Sequence, residues 1–157
     1  MIVKSSEPIY VSKSRFGKGV FASRDIKKGE LICVMRGKKI TTKQLQLVTD
    51  QGRNILTDPL QIGKDKYLSL DKPYLYLNHS CQPNAGLKDN VNLLAIENIP
   101  KDEEIFYDYS TTWFDGFLCN CNNKNCRKYI SDFYTIPPTQ RNRYHKLGVV
   151  SNFIKKT

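Results

Sequence analysis

The chain has 157 residues, of which 39% are hydrophobic and 25% charged, and it carries a formal net charge of +10. That length and apolar content suffice for one compact core, and no run approaches the roughly 18 apolar residues that a membrane span requires. We therefore expect a soluble protein without a membrane partner, working in the cytoplasm or nucleus, or in a host cell if the source is microbial.

The first half of the chain predicts short strands separated by turns. Val, Ile and Tyr are frequent there, and the apolar runs are interrupted by Gly17, Gly19, Gly29 and Gly37. The predicted strands are residues 9–12, 20–23, 31–36 and 67–70. Thr41 and Thr42 then introduce residues 43–48, whose composition is typical of a short capped helix.

The second half continues with strands and ends in a helix. Residues 93–97 and 104–107 are predicted as strands on either side of a turn at 99–102. A helix is predicted over 138–147, because Pro138 suits the first helical turn and Gly148 suits the position just beyond the end. The whole pattern indicates a mainly β fold of small sheets with few short helices.

Two segments carry glycines or tyrosines in patterns that suit a binding site. In Arg15-Phe16-Gly17-Lys18-Gly19-Val20-Phe21-Ala22, the glycines lack a Cβ and let the backbone approach a ligand closely. A Gly-Lys-Gly segment alone also predicts a plain hairpin turn. In Glu104-Ile105-Phe106-Tyr107-Asp108-Tyr109, the two tyrosines would share one side of a strand, where they either serve a site or simply pack.

Cysteine spacing points to a metal. Cys119, Cys121 and Cys126 supply three thiols within eight residues, whereas a tetrahedral zinc site needs four ligands. The alternative is a set of reduced thiols in an Asn-rich loop. Cys33 lies in an apolar run and is predicted as a small core side chain.

These three segments and a septet, Asn78-His79-Ser80-Cys81-Gln82-Pro83-Asn84, resemble in order the motifs of the SET-domain protein lysine methyltransferases. The resemblance implies a SET-domain fold of several small curved β-sheets, in which the septet is threaded beneath another loop as a pseudoknot. It also implies a SET domain over residues 1–110 and a post-SET-like segment over 111–157 with the zinc cluster and a C-terminal helix. Leu75 departs from the family, since many members have Arg there.

The resemblance also implies roles for particular residues. S-adenosylmethionine would be held by Gly17, Lys18, Gly19, Asn78 and His79. Tyr109 would be the catalytic tyrosine that orients the substrate amine, and Tyr107 would tune how many methyl groups are added. A structural role and zinc ligation are the alternatives for His79.

One structural zinc ion would be held by Cys81, Cys119, Cys121 and Cys126. Trp113, Phe114 and Phe117 would wall the lysine channel, stack on adenine or pack on the core.

The expected partner is a protein substrate bearing a target lysine, with histones among the candidates. The positive charge also suits contact with nucleic acid or nucleosomes, although a solvated basic surface explains the same charge. Two functions therefore remain open: S-adenosylmethionine-dependent methylation of lysine in a protein, and a non-catalytic, SET-like, zinc-stabilised basic module that binds chromatin or nucleic acid.

Overall fold

The computed structural model of the chain describes residues 6–50, 59–112 and 116–155. Within these ranges, twelve short strands form five sheets of two or three strands each, which confirms the predicted mainly β fold. The strands are β1 (Ile9–Ser14), β2 (Gly17–Ala22), β3 (Leu31–Val34), β4 (Gly37–Ile40), β5 (Leu60–Gly63), β6 (Lys66–Leu70), β7 (Asn78–His79), β8 (Ala85–Lys88), β9 (Asn92–Ala95), β10 (Phe106–Tyr107), β11 (Phe117–Leu118) and β12 (Tyr129–Ile130).

The sheets combine neighbours along the chain with distant segments. Strands β1 and β2 form an antiparallel hairpin, and the two three-stranded sheets have the orders β3-β9-β8 and β4-β6-β5. The short strands β7 and β10 pair in parallel, which places the septet beside the tyrosine motif. Strands β11 and β12 pair antiparallel near the cysteines. The threading of the septet stays a prediction.

Strand boundaries differ from those expected. The predicted strand at 104–107 is confined to Phe106–Tyr107, and the one at 31–36 ends at Val34. Six strands were not predicted, namely β4, β5, β7, β8, β11 and β12. In β4, for example, Gly37 and two lysines disfavour a strand locally, and the segment is held by its pairing with β6.

Three α-helices occur in the described ranges, and two of them were predicted. Helix α1 (Thr42–Asp50) begins with a capping box, in which Thr41 Oγ1 accepts from the Gln44 N–H at 3.2 Å and Gln44 Oε1 accepts from the Thr41 N–H at 2.8 Å. Helix α2 (Pro138–Leu147) has the predicted bounds and ends at Gly148, which has a φ of 71°. Helix α3 (Asn152–Lys155) is a single turn that was not predicted.

The buried side chains form three apolar clusters. The main cluster is built from the sheets and includes Cys33, as predicted. A second joins Ile96 to side chains of residues 133–154, and a third surrounds the cysteines with Ile130. The second cluster packs closely on β8, because a Cβ built at Gly86 would lie 2.6 Å from the Cβ of Val149. The division of the chain at residue 110 stays a prediction.

In the part of the chain that the structure describes, helices are too short or too polar to cross a membrane. Trp113 and Phe114, considered above as channel walls, lie outside the described residues.

Candidate functional site

The Gly-Lys-Gly segment begins strand β2 of the hairpin. It also lies next to the septet. Gly17 follows a two-residue turn and has a φ of 102°. The Asn78 side-chain amide donates to the Lys18 carbonyl and to Glu104 Oε1, both at 2.9 Å. At Gly19, an added Cβ would lie 2.2 Å from the same carboxylate oxygen. The absence of a side chain at this glycine therefore lets the glycine segment and Asn78 meet around the carboxylate of Glu104.

The imidazole of His79 connects two of the predicted motifs. Its Nδ1 accepts from the main-chain N–H of Tyr109 at 3.0 Å, and its Nε2 lies 3.4 Å from Cys81 Sγ. Burial lowers the pKa of His79 to about 4, with the charge of Arg127 acting in the same direction and that of Asp108 opposing it. The neutral ring therefore carries its proton on Nε2, facing the sulfur. Because both ring nitrogens contact protein groups, a cofactor contact by this residue would fall to its backbone.

The prediction that Tyr107 and Tyr109 share one side of a strand is wrong. Tyr107 ends β10, whereas Tyr109 begins a 3-10 helix, Tyr109–Thr111, that is capped by Asp108. The two rings are nevertheless close, with centroids 4.8 Å apart. Tyr107 is 5% exposed and belongs to the core. Its aromatic ring therefore lies deeper than that of Tyr109, rather than beside it on one face of a strand.

A pocket of about 230 Å³ joins most of these residues. Its walls include Asn78, His79 and Tyr109 from the predicted site, and Phe16 and Phe117 as aromatic neighbours. The Phe117 ring centroid lies 5.8 Å from that of Tyr109, and the Tyr109 hydroxyl donates to the Leu77 carbonyl at 2.5 Å. Gly17, Lys18, Gly19 and Tyr107 are not among the residues that line this pocket.

The four predicted metal ligands meet at one point beside the pocket. The sulfurs of Cys81, Cys119, Cys121 and Cys126 all lie within 4.8 Å of one another. A tetrahedral zinc ion with Zn–S bonds of about 2.3 Å separates its sulfurs by about 3.8 Å. The Cys81 and Cys119 sulfurs are 3.8 Å apart. The cluster thus fits a single zinc ion.

Main-chain N–H groups point at three of these sulfurs, each at 3.4 Å. Such donors favour the thiolate form that a metal requires. The donor and acceptor pairs are Arg127 N to Cys81, Cys121 N to Cys119, and Lys128 N to Cys126. The chemistry of the donor set therefore agrees with its geometry.

Ionisation of the thiols differs within the cluster. Burial raises the pKa of Cys81, and it raises that of Cys119 to about 11. Burial opposes ionisation of Cys121 as well, but hydrogen bonds, that from the Asn123 N–H first, outweigh it and lower the pKa to about 6. Metal binding at neutral pH would therefore release protons from Cys81 and Cys119.

Two acidic residues of the site were missed by the sequence analysis. Glu104 holds Asn78 as described, and Ser14 Oγ donates to it at 2.9 Å. Asp108 is buried and accepts two hydrogen bonds of 2.8 Å from the Arg127 guanidinium. Both residues lie in the segment Glu104–Tyr109, which was singled out for its tyrosines. The two carboxylates were therefore visible in the sequence, but no role was predicted for them.

A sequence model of the SET domain matches residues 17–110. The chain belongs to the SET-domain family. The matched range contains the glycine segment, the septet and Tyr109, and it ends before the three later cysteines. The SET domain of this chain thus supplies Asn78, His79 and Tyr109 of the pocket and also Cys81, whereas Phe117 and the other three thiols follow it.

Similar curated proteins are much longer than this SET-domain chain. It is 35% identical over 133 residues to the variant-silencing SET domain-containing protein of Plasmodium falciparum, covering 72% of this chain and 5% of that protein. It is 26% identical over 141 residues to human histone-lysine N-methyltransferase 2D, covering 78% of this chain and 2% of that protein.

Solved structures share the SET fold. A humanized mutant of the Chaetomium thermophilum Polycomb Repressive Complex 2 bound to an inhibitor has a TM-score of 0.58 at 20% identity, covering 69% of this chain and 15% of that one. The same complex in an autoinhibited conformation bound to S-adenosylmethionine has a TM-score of 0.59 at 20% identity, covering 69% and 16%. The likeness confirms the predicted fold class.

Proposed function

We propose that this chain transfers a methyl group from S-adenosylmethionine to the side-chain amine of lysine in a protein substrate. The observation that carries the proposal is the position of Tyr109, whose ring forms the wall of a pocket shared with Asn78 and His79. The names of relatives such as histone-lysine N-methyltransferase 2D support the reaction class, and they make histones the first substrates to test.

The pocket residues suit a zwitterionic, partly aromatic cofactor. S-adenosylmethionine would supply an electrophilic methyl carbon. The amide nitrogen of Asn78 is engaged by Lys18 and Glu104, and its oxygen has no donor among the described residues, so that oxygen can accept from an ammonium group. Phe16 and Phe117 offer aromatic faces to an adenine.

Tyr109 is placed to orient the incoming amine. A free lysine has a pKa of about 10.4 and must lose its proton before it attacks a methyl carbon. Aromatic walls lower that pKa by desolvation. Because the Tyr109 hydroxyl donates to the Leu77 carbonyl, its oxygen can accept an N–H of the neutral amine and aim the nitrogen lone pair.

The cysteine cluster would hold zinc as a structural ion. Cys119 and Cys121 line the same pocket as Tyr109, so fixing their sulfurs also fixes one wall of the pocket. Zinc would make that wall of the pocket rigid and would take no part in the methyl transfer.

Labelled S-adenosylmethionine and recombinant histones test this function directly. We expect transfer of label to histone lysines by the parent chain, and a fall of roughly a hundredfold in turnover for Tyr109→Phe, with cofactor affinity unchanged. Tyr10→Phe, which removes an exposed hydroxyl, is the matched control. Cofactor binding without transfer to histones or to a proteome-wide mixture of proteins would contradict the proposal.

A second function, contact with nucleic acid, is favoured by a group of exposed lysines. Five of them, named here the lysine platform, lie on or beside the strands of the sheet β4-β6-β5 and at the start of α1. Among the described residues none of the five is ion-paired, and the intervening Asp65 accepts from the Thr42 N–H at 2.8 Å. The lysine platform consists of Lys38, Lys39, Lys43, Lys64 and Lys66.

We propose that the lysine platform contacts the phosphates of duplex DNA without reading sequence. Replacing Lys38, Lys39 and Lys64 by Glu should weaken binding of random duplex DNA and reduce the steepness of its salt dependence, since about 0.9 counterions are released per phosphate contact. The matched control replaces Lys27, Lys28 and Lys101 by Glu, which changes the net charge by the same amount at exposed lysines elsewhere on the chain. Equal losses in both variants would show that net charge alone accounts for binding.

A further inference from the structure

Helix α2 follows the matched SET domain in sequence, yet it reaches the tyrosine motif. The Tyr144 hydroxyl donates to Asp108 Oδ2 at 2.9 Å. One turn earlier, the Gln140 side chain donates to the Tyr144 hydroxyl at 2.5 Å and to the Cys81 carbonyl at 2.9 Å. A single helix face therefore holds both the residue before Tyr109 and a ligand of the predicted zinc site.

The carboxylate of Asp108 is the centre of this arrangement. Its side chain has no exposed surface. Besides the two bonds from Arg127, one oxygen accepts from the Ser110 N–H at 3.1 Å, which caps the 3-10 helix that begins at Tyr109. The Thr111 side chain donates to the Asp108 carbonyl at 2.7 Å. The position of this carboxylate thus sets the start of the turn that carries the Tyr109 ring.

The bond from Tyr144 is not needed to neutralise Asp108. The guanidinium of Arg127 already provides a paired charge through two bonds. The phenol adds a directional contact from another element of the fold. Burial raises the pKa of Tyr144, with the charge of Asp108 acting in the same direction, so the phenol keeps its proton and remains the donor.

We propose that Tyr144 is a positioning residue of the active site, which acts through Asp108 to hold the turn that carries Tyr109, and that α2 is therefore part of the methyl-transfer machinery. The proposal rests on the proposed function. Gln140 assists, because it fixes the Tyr144 hydroxyl and ties α2 to the Cys81 carbonyl. A displacement of a reacting group by about 1 Å costs roughly a hundredfold in rate, so a small tilt of the turn would be measurable.

Tyr144→Phe in the full chain is the first test, because it removes one hydroxyl and keeps the ring in the second apolar cluster. We expect kcat to fall by about tenfold to a hundredfold, while the dissociation constant for S-adenosylmethionine, the KM for the protein substrate and the zinc content change less than about twofold. Tyr134→Phe, on the neighbouring surface and 51% exposed, is the matched control and should keep full kcat. An unchanged kcat in Tyr144→Phe would overturn the proposal.

Amide hydrogen exchange provides a second readout that does not depend on activity. In Tyr144→Phe we expect faster exchange at the main-chain N–H groups of Tyr109, Ser110 and Thr111, and unchanged exchange in β8. If exchange accelerates evenly across the molecule, the hydroxyl only stabilises the fold and the proposal is wrong. If the parent chain transfers no methyl group but the local exchange effect is present, the proposed reaction fails while the positioning of the turn stands.

Discussion

His79 Nδ1 accepts a hydrogen bond of 3.0 Å from the main-chain N–H of Tyr109. This bond links the septet to the turn that carries the proposed catalytic phenol, and the other ring nitrogen faces the sulfur of Cys81. One buried imidazole therefore contacts both the pocket and the metal cluster. A substitution that keeps the volume of such a side chain but removes its polar atoms leaves the partner groups unpaired and destabilises the fold.

The variant His79→Phe should lose stability and metal together. Phe fills a similar volume but leaves the Tyr109 N–H without its acceptor, which costs about 1–3 kcal/mol in the free energy of unfolding. Chemical denaturation and the zinc content per chain measure the two effects. His145→Phe is the matched control, since His145 is exposed on α2. Equal stability of the two variants would contradict a structural role for the imidazole.

Metal removal should act locally. A strong chelator is expected to loosen residues 116–130 and abolish methyl transfer, whereas the sheets of the main cluster keep their protection against hydrogen exchange. The parent chain should carry one zinc per chain, and Cys126→Ser should carry less. Cys33→Ala, which alters a buried cysteine of the main cluster, should keep its zinc. A parent chain without bound zinc would contradict the zinc site, and turnover that survives complete chelation would show that the ion does not hold the pocket.

Gly19→Ala should weaken cofactor binding. A Cβ at this position would lie 2.2 Å from Glu104 Oε1, so the carboxylate must move, and we expect this to disturb its bond with the Asn78 amide. Loss of one charge-assisted hydrogen bond of about 1.5–3 kcal/mol predicts a decrease in affinity of at least tenfold, measured by calorimetry with S-adenosylmethionine. The control is Gly63→Ala, where the added Cβ finds its nearest neighbour at 3.4 Å. An unchanged affinity for S-adenosylmethionine in Gly19→Ala would show that the glycine segment is not part of the cofactor site.

Tyr107→Phe should raise the number of methyl groups added. The Tyr107 ring contacts that of Tyr109, with centroids 4.8 Å apart, and we expect that loss of its hydroxyl leaves room for a growing methylamine next to the proposed catalytic phenol. Mass spectrometry of the histone product should then show a larger dimethylated and trimethylated fraction than the parent chain produces. The same product distribution in both proteins would refute this role for Tyr107.

Local signals accounted for the parts of the fold that were predicted well. Helix α2 has the expected bounds because Pro138 and Gly148 act on their immediate neighbours, and α1 begins at its capping threonine for the same reason. Strands such as β4 were missed because pairing with a distant strand stabilises them. Tyr109 was expected in a strand, whereas the Asp108 side chain starts a helical turn there.

Within the site, the sequence by itself determined the chemical groups: the glycines, the Asn-His pair, the tyrosines and the spacing of three cysteines, which resemblance to SET domains extended to Cys81. Each of these groups belongs to a short segment, so it can be recognised from its neighbours along the chain. Only the tertiary structure decided that Glu104 holds Asn78, that His79 joins Tyr109 to Cys81, and that Tyr144 reaches Asp108 from 36 residues away. Contacts of that kind depend on how separate elements pack in space, and no local pattern records them.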